Sequence, residues 1–226
     1  MVEGRSLTAR AGRRLWAVLA LAALCLLGGV GAGRAADETV RAVAVYDGDT
    51  CRLADGRTLR LAGVDAPETA HGDRPAQYFA EQAKTALHEL VREGPLRFVG
   101  VGPGQDRYGR LLGDLALPDG RSVTEILLSR GCVFVFWHED VGPAVCNRQL
   151  ALQRRAMAEG QGFWPRLLSL PSPGAPYVGN ASSHRFHAPS CPDAARIGRR
   201  NRVALPTLGE AFSQGYAPAR DCTPWP

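Results

Sequence analysis

Tyr46-Asp47-Gly48-Asp49-Thr50, followed by Arg60-Leu61-Ala62-Gly63-Val64-Asp65-Ala66-Pro67-Glu68-Thr69, is the stretch on which the fold turns. Two Asp-Gly pairs, Asp47-Gly48 and Asp55-Gly56, separate short runs of apolar and β-branched residues. Such pairs between alternating runs are a strong hairpin signal. Residues 39–45, 50–53 and 58–64 are therefore expected as strands of one meander. Asp49 and Asp65 fall at strand ends, and Glu68 follows Pro67, which stiffens the loop that carries it. Hard cations such as Ca²⁺ take several oxygen ligands, so two strand ends bearing carboxylates suit one. Arg60 stands five residues before Asp65, and in an ideal strand their side chains point to opposite faces. A twist, a bulge or a strand end is needed to bring them to one place.

Outward from this stretch, residues 75–93 carry Phe79, Ala83, Ala86, Leu87 and Leu90 at helical spacing. Residues 96–101 and 110–117 read as further strands. A second helix is expected over 123–130, stopped by Gly131, the usual left-handed terminator. Residues 133–137 look like a buried strand, and a third helix spans 145–159. Short strands interleaved with three helices predict an α+β, mainly β architecture: a five-stranded barrel of OB-fold type with three helices packed on it. Pro171, Pro173, Gly174 and Pro176 mark 167–176 as a linker. Residues 177–226 then form a small α+β module with cysteines and aromatics of its own.

Of the net charge of +5, residues 1–36 carry +4, from Arg5, Arg10, Arg13, Arg14 and Arg34 against Glu3. The rest of the chain is near neutral, so net charge does not argue for nucleic acid. Arg13 and Arg14 precede an apolar run over 15–27 and then Arg34-Ala35-Ala36, the pattern of a secretory signal. Export to the periplasm or beyond is expected, with cleavage near Ala36; an uncleaved anchor is the alternative. Loss of Cys25 with the signal leaves Cys51, Cys132, Cys146, Cys191 and Cys222. That odd number leaves at least one thiol free in an oxidising compartment.

The two opening runs, together with Asp106-Arg107-Tyr108-Gly109-Arg110, Val123-Thr124-Glu125 and Gly162-Phe163-Trp164, resemble the staphylococcal nuclease (thermonuclease) family. The resemblance covers residues 39–164, within a barrel domain expected over 37–166. It implies a calcium-dependent phosphodiesterase acting on DNA and/or RNA. The chain is expected to be monomeric and free of the membrane once the signal is removed. The resemblance implies Asp49, Asp65 and the main-chain carbonyl of Ala66 as Ca²⁺ ligands, Glu68 as the group that activates water, and Arg60 and Arg110 as the arginines on the scissile phosphate. These roles agree with the chemistry. A metal ion and fixed guanidinium forks stabilise the charge gained as water adds to a phosphodiester, and a carboxylate takes or orients the proton. Arg107 reads as a surface neighbour, His71 as solvent-side. Tyr108 lines a nucleotide pocket or packs on the barrel. The competing reading is a non-catalytic OB module that binds nucleic acid or a partner; retention of all five side chains of the site favours catalysis.

The chain departs from the family at Gln153, where an acid and its salt bridge are expected, and at Cys51, where a core valine is expected and a buried free thiol results. The segment from Val178 is similar to the metal-binding domain of the Ada DNA-repair type, but Ala219 stands where a cysteine would complete Cys-x-x-Cys with Cys222. Two thiols do not close a four-ligand zinc site. A Cys191–Cys222 disulfide is expected, the alternatives being a zinc site supplemented by His184 and His187, or reduced thiols. Because the barrel holds every expected site residue, the tail is expected to be dispensable for catalysis.

Overall fold

The strand expected over 39–45 divides at Arg41 into β1 (Glu38–Val40) and β2 (Ala42–Val45), and the two halves pair with different neighbours. The computed structural model describes residues 38–92, 94–138, 140–220 and 225. The expected signal at 1–36 and Cys222 lie outside them. After β2 come β3 (Thr50–Leu53), β4 (Thr58–Leu61) and a short β5 (Val64–Asp65). Helix α1 (Ala80–Val91) begins five residues later than periodicity suggests. Strands β6 (Leu96–Gln105) and β7 (Leu111–Ala116) follow, then α2 (Val123–Ser129), β8 (Phe134–Val135), α3 (Pro143–Ala158) and α4 (Trp164–Leu168).

The main sheet has six strands in the order β1-β6-β7-β4-β3-β2, one more than expected because of the break at Arg41. It curls into a half-barrel. Every pairing in it is antiparallel except β4 with β7, where Arg60 lies opposite Leu112. Strands β5 and β8 pair separately and antiparallel, with Asp65 opposite Phe134. Leu53, Leu59, Leu61, Leu87, Leu115 and Leu127 fill the space between sheet and helices, each at most 1% exposed. On α3 the buried positions are Cys146, Gln149, Leu150, Gln153 and Ala156, one stripe at helical spacing.

The C-terminal segment builds a four-stranded sheet in the order β11-β9-β10-β12. Its elements are β9 (Tyr177–Asn180), β10 (Arg185–His187), α5 (Pro192–Arg196), β11 (Arg202–Leu205), α6 (Leu208–Ser213) and β12 (Ala217–Pro218). Here the structure corrects the sequence. Leu167 is fully buried in α4, so the stretch 167–176 does not begin as a free linker. Residues from Asp37 to the C-terminus form one compact unit. A single aromatic cluster joins Phe134, Phe163 and Trp164 of the barrel to Phe186, Phe212 and Trp225 of the module. Burying large aromatic side chains is among the strongest stabilising contributions available to a joint of this kind.

Gln153 fastens that joint. Fully buried, its Oε1 accepts from the Val135 N–H at 2.6 Å and its Nε2 donates to the Phe212 carbonyl at 2.6 Å. An amide does both, and an ionised carboxylate only the first. The departure from an acid thus follows from the module's presence. Cys51, Cys132 and Cys146 are buried and free. Burial pushes the Cys51 thiol up to about 12 and that of Cys132 to about 11, so both are inert thiols. Cys191 is disulfide-bonded.

Candidate active site

Asp49 closes the Asp47–Asp49 turn one residue before β3. A Cβ on Gly48 would stand 2.7 Å from the Ala83 Cβ and 2.8 Å from that of Ala66. Only glycine lets this turn press against α1. On the adjacent strand, Arg60 lies opposite Thr50, and the Leu61 N–H donates to the Asp49 carbonyl at 2.8 Å. The carboxylate and the guanidinium therefore start from neighbouring positions.

Asp65 arrives by a break in the chain. β4 stops at Leu61, Gly63 takes a φ of 77°, and β5 begins at Val64 against a different partner strand. A left-handed φ is a glycine conformation. This kink cancels the strict alternation that would send Arg60 and Asp65 to opposite faces. Arg60 then bridges the two acids: Nη1 lies 3.0 Å from Asp49 Oδ2, and Nη2 lies 2.7 Å from Asp65 Oδ1. All three side chains are buried.

Each carboxylate oxygen of the pair has a protein donor. The Thr50 hydroxyl donates to Asp49 Oδ1 at 2.7 Å, and the Ala66 N–H to Asp49 Oδ2 at 2.7 Å. Arg185 Nη1 donates to Asp65 Oδ2 at 3.2 Å. Burial raises the Asp49 pKa well above the usual carboxylate range, although Arg60 pulls the other way. For Arg60, burial works against the charge, but Asp49 and Asp65 outweigh it and hold the group more firmly protonated than usual.

Glu68 lies beside this cluster and is half-buried, its N–H donating to Gln77 Oε1 at 2.8 Å. Its carboxylate receives Arg220 Nη2 at 2.9 Å. Burial raises its pKa, with the Arg220 charge opposing. A carboxylate that holds a proton more readily than usual suits general-base work.

Arg110 lies elsewhere in its contacts. Its Nε and Nη2 both reach Asp106 Oδ2 at 2.7 Å, while Asp106 Oδ1 accepts the Arg110 N–H at 3.1 Å. It precedes Leu111, which pairs with Leu59 across the parallel seam, so the turn carrying it borders the strand of Arg60. Tyr108 is 68% exposed, which rules out barrel packing for its ring. Arg107 and Arg110 stand 4.8 and 5.4 Å from that ring's centre. His71 is exposed, as expected.

Two residues escaped sequence reasoning. Arg185, on β10, donates to Asp65 and to the Pro218 carbonyl at 3.0 Å, with its guanidinium carbon 3.7 Å above the Phe136 ring. Burial is the chief cause of its lowered pKa. Arg220 follows β12 and reaches Glu68. The aromatic content of the tail was the available signal that it packs on something, but nothing local tied either arginine to the acids.

A curled half-barrel with acids at its strand ends and a buried arginine between them is consistent with a nuclease-type fold. The family model described as staphylococcal nuclease homologue matches residues 58–166. The chain is similar to an uncharacterized endonuclease of Escherichia coli O157:H7, 30% identical over 132 residues, which are 57% of this chain and 78% of that protein. It is similar to endonuclease YncB of Bacillus subtilis (strain 168), 39% identical over 124 residues, 53% of this chain and 58% of that one. Endonuclease YhcR of the same organism is 30% identical over 196 residues, 76% of this chain and 16% of that much longer protein. The chain belongs to the staphylococcal nuclease family and is a nuclease, a hydrolase.

Proposed function

We propose that this protein is an exported, calcium-dependent endonuclease that hydrolyses phosphodiester bonds of DNA and/or RNA. The observation that carries the reading is the buried Arg60 fork joining Asp49 and Asp65 at 3.0 and 2.7 Å, with Glu68 alongside. The donor set fits a hard cation in kind: two carboxylates and the Ala66 carbonyl offer oxygen only. As arranged, those carboxylates are satisfied by guanidinium, N–H and hydroxyl donors, and among the described residues no group of three acids, histidines or cysteines is gathered for a metal. Asp49, Asp65 and the Ala66 carbonyl would hold the calcium ion, which when bound would supply Lewis-acid stabilisation of the phosphate charge. For its part the chain offers Glu68 to take a proton from water and Arg60 to fork onto phosphate oxygens, with Arg110 as the second arginine once it leaves Asp106.

Export rests on the signal-like pattern of residues 1–36, and an oxidised Cys191 supports it, because disulfides persist outside the reducing cytoplasm. We assign Cys222 as its partner. The proposed resemblance of the module to an Ada-type domain rests on its sequence, and the oxidised Cys191 supports a cross-link in place of a zinc ligand. His187 Nδ1 lies 3.4 Å from the Cys191 sulfur, and His184 stacks on Trp137 with centroids 4.9 Å apart. Degradation of single- and double-stranded DNA and RNA by the mature protein, with Ca²⁺ and with excess chelator, tests the reading. Hydrolysis should require Ca²⁺; undiminished turnover in chelator would defeat the calcium assignment.

A further inference from the structure

Strand β12 lies parallel to β10, with Arg185 opposite Ala217. The edge of the module's sheet therefore delivers Arg185 and Arg220 together toward the barrel's acids. The two are held very differently. Arg185 is 20% exposed, stacked on Phe136 and bonded to both Asp65 and Pro218. It is a fixed element. Arg220 is 62% exposed and pairs with Glu68, whose side chain is 44% exposed. Its next acidic neighbour, Asp65 Oδ1, is 4.0 Å away. An ion pair this exposed contributes little to stability, so an incoming anion can exchange for it at little cost. Glu68, Asp65, Pro218 and Arg220 share the lining of one small cleft. An exposed guanidinium at the mouth of this cleft, resting on the carboxylate expected to activate water, can move from that carboxylate to a phosphate.

We propose that Arg220 is a substrate-binding residue of the nuclease site: it rests on Glu68 in the free protein and transfers to a backbone phosphate of the bound nucleic acid. The assignment deepens the nuclease reading given above and rests on it. The chemical class recognised is a phosphodiester of a polynucleotide, and Arg185 is the anchor that keeps this edge of the module against Asp65.

The test uses the full mature chain and a fluorescein-labelled single-stranded DNA oligonucleotide. Binding is followed by anisotropy in excess chelator, where no turnover complicates the signal, across a series of salt concentrations. Arg220→Ala should weaken binding severalfold and flatten the slope of log K against log salt by about 0.7, the value for one lost phosphate contact on a single strand. Arg220→Lys should restore most of both, since an exposed point charge suffices for a mobile contact. Arg196→Ala, which removes an equal charge from an exposed pair with Asp193, should leave the slope unchanged. An unchanged slope in Arg220→Ala would overturn the assignment. So would tighter binding in that variant, which would make Arg220 a plug on Glu68. A protein that binds with the expected slopes but never hydrolyses would instead count against the nuclease reading, leaving the binding role intact.

Discussion

The barrel and the C-terminal module both reach the candidate site, but over very different ranges of sequence. The barrel contributes Asp49, Asp65 and Glu68 from one short stretch, gathered by a turn, a kink and a proline. The module contributes Arg185 and Arg220, the former 120 residues from the aspartate it holds. Local chain geometry placed the acids, and a shared aromatic core placed these two bases. A site of this kind depends on the joint as much as on the barrel.

The joint is where the largest effect is expected. Phe212→Ala removes a fully buried ring that touches Phe134, Trp164 and Phe186 edge-on, and should cost on the order of 3–5 kcal/mol in thermal or denaturant unfolding. If the barrel were indifferent to the module, the barrel's own transition would be unmoved by that change. A chain ending at Arg166 loses Phe186, Phe212 and Trp225 at once. It should fail to give a stably folded, active barrel, contrary to the dispensable tail that the sequence suggests.

Next come the barrel's own arginines. Arg60→Lys replaces a fork spanning two buried acids by one point charge, leaving a carboxylate short of its partner. Arg110→Lys likewise loses a bidentate grip. Each should lower the rate of oligonucleotide cleavage by about 10²–10³, whereas Arg107→Lys should change it less than about twofold. Reversal of the Arg107 and Arg110 results would show that the two were assigned the wrong way round.

The smallest effect sharpens the comparison most. Gln153→Glu restores the acid expected of the family, and should destabilise the protein by about 1–3 kcal/mol because the Phe212 carbonyl loses its buried donor. The deficit should shrink as pH falls and the new carboxyl protonates, since the acid form can donate again. An unaltered melting temperature across pH would mean that Gln153 does not tie the module down.

The acids and Arg60 were legible as candidates because they fall in two short runs close together in the sequence. That Arg60 and Asp65 share a site was not legible from periodicity, which places them on opposite faces. The deciding feature is the left-handed turn at Gly63, and alternation carries no signal for where a strand breaks. Gln153 read as a lost salt bridge because the residue it now serves, Phe212, is 59 positions away. The proline-rich stretch read as a linker, yet composition says nothing about whether the segments on either side touch. Arg185 and Arg220 carry no local pattern at all; only the docked module reveals them.

The chain order of the joint also has a temporal side. Asp49, Arg60 and Asp65 are neighbours early in the sequence, so their contacts close short loops, and short loops form first. Arg220 is made long after them, and Glu68 waits until the module has followed. A polypeptide emerging from a ribosome or a translocation pore can thus close the local contacts of Asp49, Arg60 and Asp65 while the Arg220 guanidinium is still absent. A stable, complete site waits on a later docking event, set by the arrival of the module that carries Phe186, Phe212 and Arg185.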